Sequence, residues 1–276
     1  RMQIGVGLSV TFFTPALAAY FLATGLALAY LIHRGEGLYR LASLATLAGW
    51  VLHTLALVVR GVELARAPLA TLPEAVSVLV CASVLLTLWA ERQYGVKVLG
   101  AFALPVILSF GLSTVTFPGA LGGLAPALRN AWISVHVVLA LLGIAAFVLN
   151  FVGGIMYLLQ ERQLKSKRPR AFYYRLPSLE TLDRITFRTL TLGFPFLTAG
   201  LIFGAVWAGT AWGSLFTFDP LAVFSSLAWL IYAATLSGRA VAGWRGRRAA
   251  YFAIVGFAAL LLTLGAGFFL SGRHGG

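Results

Sequence analysis

The run WISVHVVLALLGIAAFVLNFVGGIMYLL, Trp132–Leu159, holds 28 residues without one Asp, Glu, Lys or Arg. At 1.5 Å of rise per residue, about 20 apolar residues in a helix cross a bilayer core of about 30 Å. Lipid offers no partner to backbone N–H and C=O groups, so a run like this spans a membrane only as a helix. Comparable runs recur on both sides of it. They predict spans near 8–32, 38–59, 71–90, 96–116, 132–159, 187–209, 221–237 and 250–271. The expected fold class is therefore all-α, a polytopic membrane helix bundle of about eight transmembrane helices forming a single integral membrane domain over residues 1–276.

Composition agrees. Sixty per cent of the residues are hydrophobic, 11% are charged and the mean hydropathy is +0.90, which excludes an ordinary soluble globular class. Cys81 is the one cysteine and lies inside an apolar run, so internal disulfides and CxxC thiol chemistry are excluded. Arg1 ahead of Met2 reads as an appended residue, and the first apolar run is long enough to stay as a span, so a cleaved signal peptide is not expected.

A net charge of +13 would suggest nucleic acid in a soluble protein. Here the basic residues fall in short loops between spans, where they set topology instead. The loops after spans one, three, five and seven hold sixteen of the 21 Lys and Arg; the opposite side holds five, Arg1, Arg60, Arg66, Arg129 and Arg273. By the positive-inside rule both termini face outward, and the setting implied is a bacterial cytoplasmic (inner) membrane. The basic inner loop 160–186 is the longest polar segment. Within it Ser178 reads as a helix cap followed by acids in the first turn, and its Lys/Arg run suits anionic lipid headgroups or a cytoplasmic protein partner.

The same count puts outside a stretch rich in rings and free of Lys and Arg, Trp207-Ala-Gly-Thr-Ala-Trp212-Gly-Ser-Leu-Phe216-Thr-Phe218-Asp219-Pro220. A loop spends that much flat apolar surface where a planar hydrophobic ligand lies on it, or where it sinks into the membrane interface. Asp219 before Pro220 reads as the cap of span seven.

Four histidines can be judged singly. His33 ends the first span and reads as interfacial. His53 lies seven residues before Arg60, about 10 Å below the outer boundary, where an ionisable group is costly and a functional candidate by default. The alternative is a neutral imidazole bonded to a neighbouring helix. His136 stands one turn after Trp132 at the outer end of span five, and His274 follows the last span. Taken alone, each reads as a helix-end or tail residue; beside an aromatic loop on the same face, the pair points to a metal inside a flat ligand. Structural zinc wants four close ligands, and no such cluster exists in the sequence. Two imidazoles on an iron porphyrin, with rings covering the macrocycle, fit better.

These residues carry a resemblance. Gly193-Phe-Pro-Phe-Leu-Thr-Ala-Gly, Gly204-Ala-Val-Trp-Ala, Trp212-Gly-Ser-Leu-Phe-Thr-Phe-Asp219-Pro220 and Ala228-Trp-Leu-Ile-Tyr-Ala resemble the haem-handling membrane proteins of cytochrome c assembly, the CcsA/CcmC group with its WWD domain. Weaker similarity runs upstream through Trp132 to Glu161 and, more loosely, through His53 to Gly100. The resemblance implies an external loop over 207–220 that holds haem (heme b) between two flanking histidines, here His136 and His274, with His53 at the position of the family's intramembrane histidine. Trp132, Trp207, Trp212, Phe216, Phe218 and Asp219 would complete the cofactor-binding set.

The sequence departs from the family pattern where Phe216 and Phe218 replace tryptophans and Leu221-Ala222 replaces Lys-Glu. Phenylalanine keeps a flat face but loses the indole donor. These changes resemble the HemX-like and YpjD-like relatives of the group.

The implied function is transport or presentation of haem on the outer face for cytochrome c assembly, by a chaperone or transporter and not by a catalyst with its own acid or base. Implied partners are haem, apocytochrome c, a CcsB-like membrane subunit and the lipid bilayer, with no nucleic acid. The alternative is a HemX-like regulator that contacts an early haem-biosynthesis enzyme through residues 160–184. A small-solute permease is the third reading; sparse intramembrane charge and the absence of paired broken helices count against it.

Overall fold

The computed structural model describes residues 8–116, 131–166, 173–213 and 220–270. They form eight α-helices and one short 3₁₀ turn, with no strand among the described residues. The helices are α1 Leu8–His33, α2 Glu36–Leu64, α3 Leu72–Tyr94, α4 Leu99–Thr116, α5 Ala131–Lys165, α6 Leu179–Trp212, α7 Pro220–Val241 and α8 Arg247–Leu270; the turn is Tyr173–Arg175. Each expected span corresponds to one helix. Seven are long and apolar enough to cross a bilayer, while α4 is a shorter apolar helix over Leu99–Val115.

The ends lie where backbone chemistry puts them. Thr71 precedes α3 and its hydroxyl accepts the Glu74 N–H, with Pro73 in the first turn. Glu74 pairs with Arg66 at 2.9 Å. Ser178 caps α6 as its sequence suggested, accepting the Thr181 N–H at 3.2 Å. Gly95 and Gly213 close α3 and α6 with φ of 64° and 72°, left-handed values that cost a glycine nothing.

Two boundaries differ from expectation for the same reason. Neither Leu159–Lys165 nor Trp207–Trp212 contains a proline or a left-handed residue, so α5 continues six residues into the expected inner loop and α6 runs through Trp207 to Trp212 before Gly213 stops it. Trp207 thus belongs to a helix and not to a loop, and α6 begins at Leu179, eight residues before the expected start of its span.

The chain divides into two compact units, Arg1–Pro118 and Gly119–Gly276. In the first, α1 packs along α2, α3 along α4, and α4 returns to α1. Gly49 of α2 lies so close to Tyr20 that an added Cβ would stand 2.8 Å from its ring. Alanines keep this packing thin, with Ala23, Ala27, Ala42, Ala101 and Leu104 forming a buried cluster.

In the second unit α5 and α6 pack along their lengths, and α7 and α8 form a second pair. Small residues let the α5 and α6 backbones nearly touch: a Cβ on Gly143 would meet the Leu197 nitrogen at 3.0 Å, and one on Gly200 the Ala140 nitrogen at 3.1 Å. Rings join α5 to α7 and α8, with Phe147 stacked on Tyr232 at 3.7 Å and Phe151 on Phe257 at 4.5 Å. Asn150, buried on α5, donates to the Thr186 carbonyl at 2.6 Å and fixes the register of the pair.

Candidate haem site

The close approach of α5 to α6 decides what His136 can do. Its Nδ1 lies 2.7 Å from the Gly200 carbonyl oxygen. A carbonyl only accepts, so Nδ1 carries the proton. In the neutral imidazole Nε2 then keeps its lone pair, the state in which histidine binds a metal, with a backbone carbonyl fixing the tautomer and the ring orientation.

Gly204, one turn further along α6, leaves space for the ring; a Cβ there would stand 2.7 Å from Nδ1. Phe203 stacks on Trp132 at 5.6 Å between centroids. Trp132 is 45% exposed and offers its surface outward, whereas Trp207, one turn beyond Phe203, is 8% exposed and packed into the fold. One imidazole whose Nε2 has no partner among the described residues, one open indole and supporting rings therefore gather at the Trp132 end of α5 and the Trp212 end of α6. These residues fit a haem face and one axial ligand.

Of the residues the sequence nominated, the structure brings together His136, Trp132 and Trp207. His274, Phe216, Phe218 and Asp219 lie outside the described residues, as does the side chain of Trp212. Sequence reasoning missed Phe203 and the roles of Gly200 and Gly204, whose signal is the small-residue spacing on α6. No group of three His, Cys, Asp or Glu side chains that could hold a metal ion occurs among the described residues.

His53 belongs to the first unit and sits in a different environment. It is fully buried, with Nδ1 3.3 Å from the Tyr20 hydroxyl and Nε2 2.8 Å from the Ser77 hydroxyl. Phe13 meets the ring edge-on at 5.2 Å. This is the neutral imidazole bonded to neighbouring helices, and both nitrogens are engaged. Iron could reach it only after one hydroxyl had let go. Sequence gave no hint of Tyr20 or Ser77, which lie 33 and 24 residues away on other helices.

Opposite the His136 end, the second unit is closed by a charge clamp. Asp183 of α6 accepts from Arg239 of α7 at 2.9 Å and from the Gly246 N–H at 2.9 Å, and the guanidinium lies 4.4 Å over the Phe187 ring. It ties α6, α7 and the α7–α8 turn together.

Fold and site define a multi-pass, all-helical membrane protein with an imidazole and aromatic rings at a helix-pair end. Comparison with known proteins places it more closely. The family model for the cytochrome c assembly protein matches residues 69–274, and the chain belongs to that family, making it a membrane protein of cytochrome c biogenesis. It is 31% identical over 252 residues to the cytochrome c biogenesis protein CcsA of Guillardia theta, covering 83% of each chain. The CcsA of Synechococcus sp. (strain CC9902) is 34% identical over 75% of this chain and 76% of its own. The CcsA of Gloeobacter violaceus is 30% identical over 98% of this chain and 96% of its own. Among solved structures, the cytochrome c heme lyase CcmF shares the fold, with a TM-score of 0.64 at 22% identity; 96% of this chain matches 49% of that one, so the chain spans about half its length.

Proposed function

We propose that this protein binds haem b and presents it for attachment to apocytochrome c, on the outer face of a bacterial cytoplasmic membrane. The observation that carries the reading is the His136 Nδ1–Gly200 carbonyl bond, which leaves Nε2 as a lone-pair donor beside the open indole of Trp132. His136 and His274 would supply the axial nitrogens. Trp132, Trp207, Trp212, Phe216 and Phe218 would lie against the macrocycle, and Asp219 would cap α7 at the site's edge. Bound haem supplies the reactive vinyl groups and the iron; the chain's own residues hold, orient and shield it. The names of the relatives fit this role, and a CcsB-like membrane subunit is the partner expected to complete it. Attachment then requires placement and reduced thiols on apocytochrome c, with no acid or base from this chain.

The test is a pyridine haemochrome assay on detergent-purified protein, with the reduced spectrum recorded. Haem at about one per chain with a sharp Soret and split α/β bands is expected, lost for the most part in the His136→Ala/His274→Ala double variant. Full haem in the double variant would move the site to His53. No haem in the wild type, expressed with haem supplied, would end the reading.

A further inference from the structure

At the end of the first unit where Arg34, Arg40, Arg92 and Lys97 lie, a small cleft opens between all four helices. It is lined by Tyr30, Tyr39, Ser43, Thr46, Glu91 and Lys97, over an apolar floor. It admits a group of about the size of one water, so only a small terminal group enters and the rest of a ligand stays outside. Glu91 is 7% exposed and reaches the cleft from the last turn of α3. Its Oε1 accepts the Gly100 N–H at 2.8 Å, and among the described residues no Lys, Arg or His forms an ion pair with it. A Cβ at Gly100 would lie 2.8 Å from the same oxygen and would make the carboxylate shift. Lys97, at the rim, pairs with Glu36 at 2.8 Å in an exposed ion pair that a phosphate can displace, and lies 5.3 Å over the Tyr39 ring.

A buried carboxylate with no ion-pair partner among the described residues is expensive in a membrane protein and marks a site. The acceptors around this one are a carboxylate and hydroxyls, which suit a compact donor with three N–H bonds. A bare metal cation is the poorer match, because the rim is basic. Lys97 stands at the rim and Arg92 acts electrostatically on Glu91, so positive groups flank a negative centre. The ligand that mirrors this is a zwitterion, an ammonium one short linker away from a phosphate.

We propose that the cleft receives the ammonium of a phosphatidylethanolamine-type lipid against Glu91, with its phosphate outside the cleft at the Lys97 rim. The site is separate from the haem reading and does not depend on it.

Native mass spectrometry of the full chain in detergent tests this, with phosphatidylethanolamine, phosphatidylcholine and phosphatidylglycerol added in turn. Choline keeps the charge but has no N–H donor, and glycerol keeps the phosphate but has no ammonium. An ammonium–carboxylate hydrogen bond at a buried site corresponds to about tenfold preference for the ethanolamine lipid over either. The preference should disappear in Glu91→Gln and in Gly100→Ala. Equal binding of the choline lipid, stronger binding of the glycerol lipid, or an unchanged preference in a folded Glu91→Gln would each overturn the proposal. Should that variant fail to fold, the three-lipid contrast on the wild type decides by itself.

Discussion

Gly204 of α6 stands against the His136 ring of α5 with no room for a methyl group between them: a Cβ there would lie 2.7 Å from Nδ1 and 2.8 Å from Cε1. The neighbouring Gly200 supplies the carbonyl that orients the same imidazole. Two glycines thus position one histidine, the first by leaving space and the second by bringing its backbone close.

Gly204→Ala must therefore push the imidazole away from the Gly200 carbonyl or part the two helices. Overpacking of this kind costs about 1–3 kcal/mol. Haem per chain should fall well below the wild type, and the melting temperature of the purified protein should drop. Ala205→Gly, at the adjacent position, serves as the control for helix propensity. Unchanged haem content in Gly204→Ala would show that His136 needs no such positioning.

Trp132→Ala separates ligand binding from stability. The indole is 45% exposed and its packing partner is Phe203, so its removal should cost the apoprotein about 1 kcal/mol or less. Haem dissociation, followed by transfer to a soluble acceptor, should accelerate by about tenfold, since base-type stacking on an aromatic face is worth about 1–3 kcal/mol. A melting-temperature loss without faster haem release would make Trp132 a packing residue only.

Ser77→Ala should act in the opposite sense. It leaves a nitrogen of the fully buried His53 unpaired, at a cost of about 1–3 kcal/mol. Thermal stability of the apoprotein should fall while haem bound through His136 stays. Loss of haem in Ser77→Ala, with a folded protein, would assign His53 a part in the occupied site.

Asp183→Asn removes the anion that Arg239 and the Gly246 N–H share. The guanidinium is left partly buried against Phe187, and breaking such a pair costs about 3 kcal/mol. Limited proteolysis should cut between α7 and α8 faster in this variant than in the wild type. The double variant Asp183→Asn/Arg239→Gln should recover part of the loss, because no unpaired charge then remains.

Much of this molecule was legible as text. Apolar runs of spanning length predicted eight helical segments, because lipid leaves the backbone no other way to pair its groups, and Ser178 declared the start of α6. His136 was singled out by its place near Trp132. The shorter reach of α4 and the continuation of α6 from residue 209 to Trp212 were not legible, since the first turns on a few residues at an end and the second on the lack of any breaker before Gly213.

What only the tertiary structure decided is the chemistry of each imidazole. Two histidines on similar apolar helices look alike as letters. One meets a backbone carbonyl at a glycine and keeps a nitrogen open; the other meets two hydroxyls from distant helices and keeps none. The same holds for Glu91, whose burial against the Gly100 N–H, with no ion-pair partner among the described residues, is a property of helix ends brought together. Hydrophobic period and length are local along the chain, whereas the partner of a polar atom is set by packing between residues tens of positions apart.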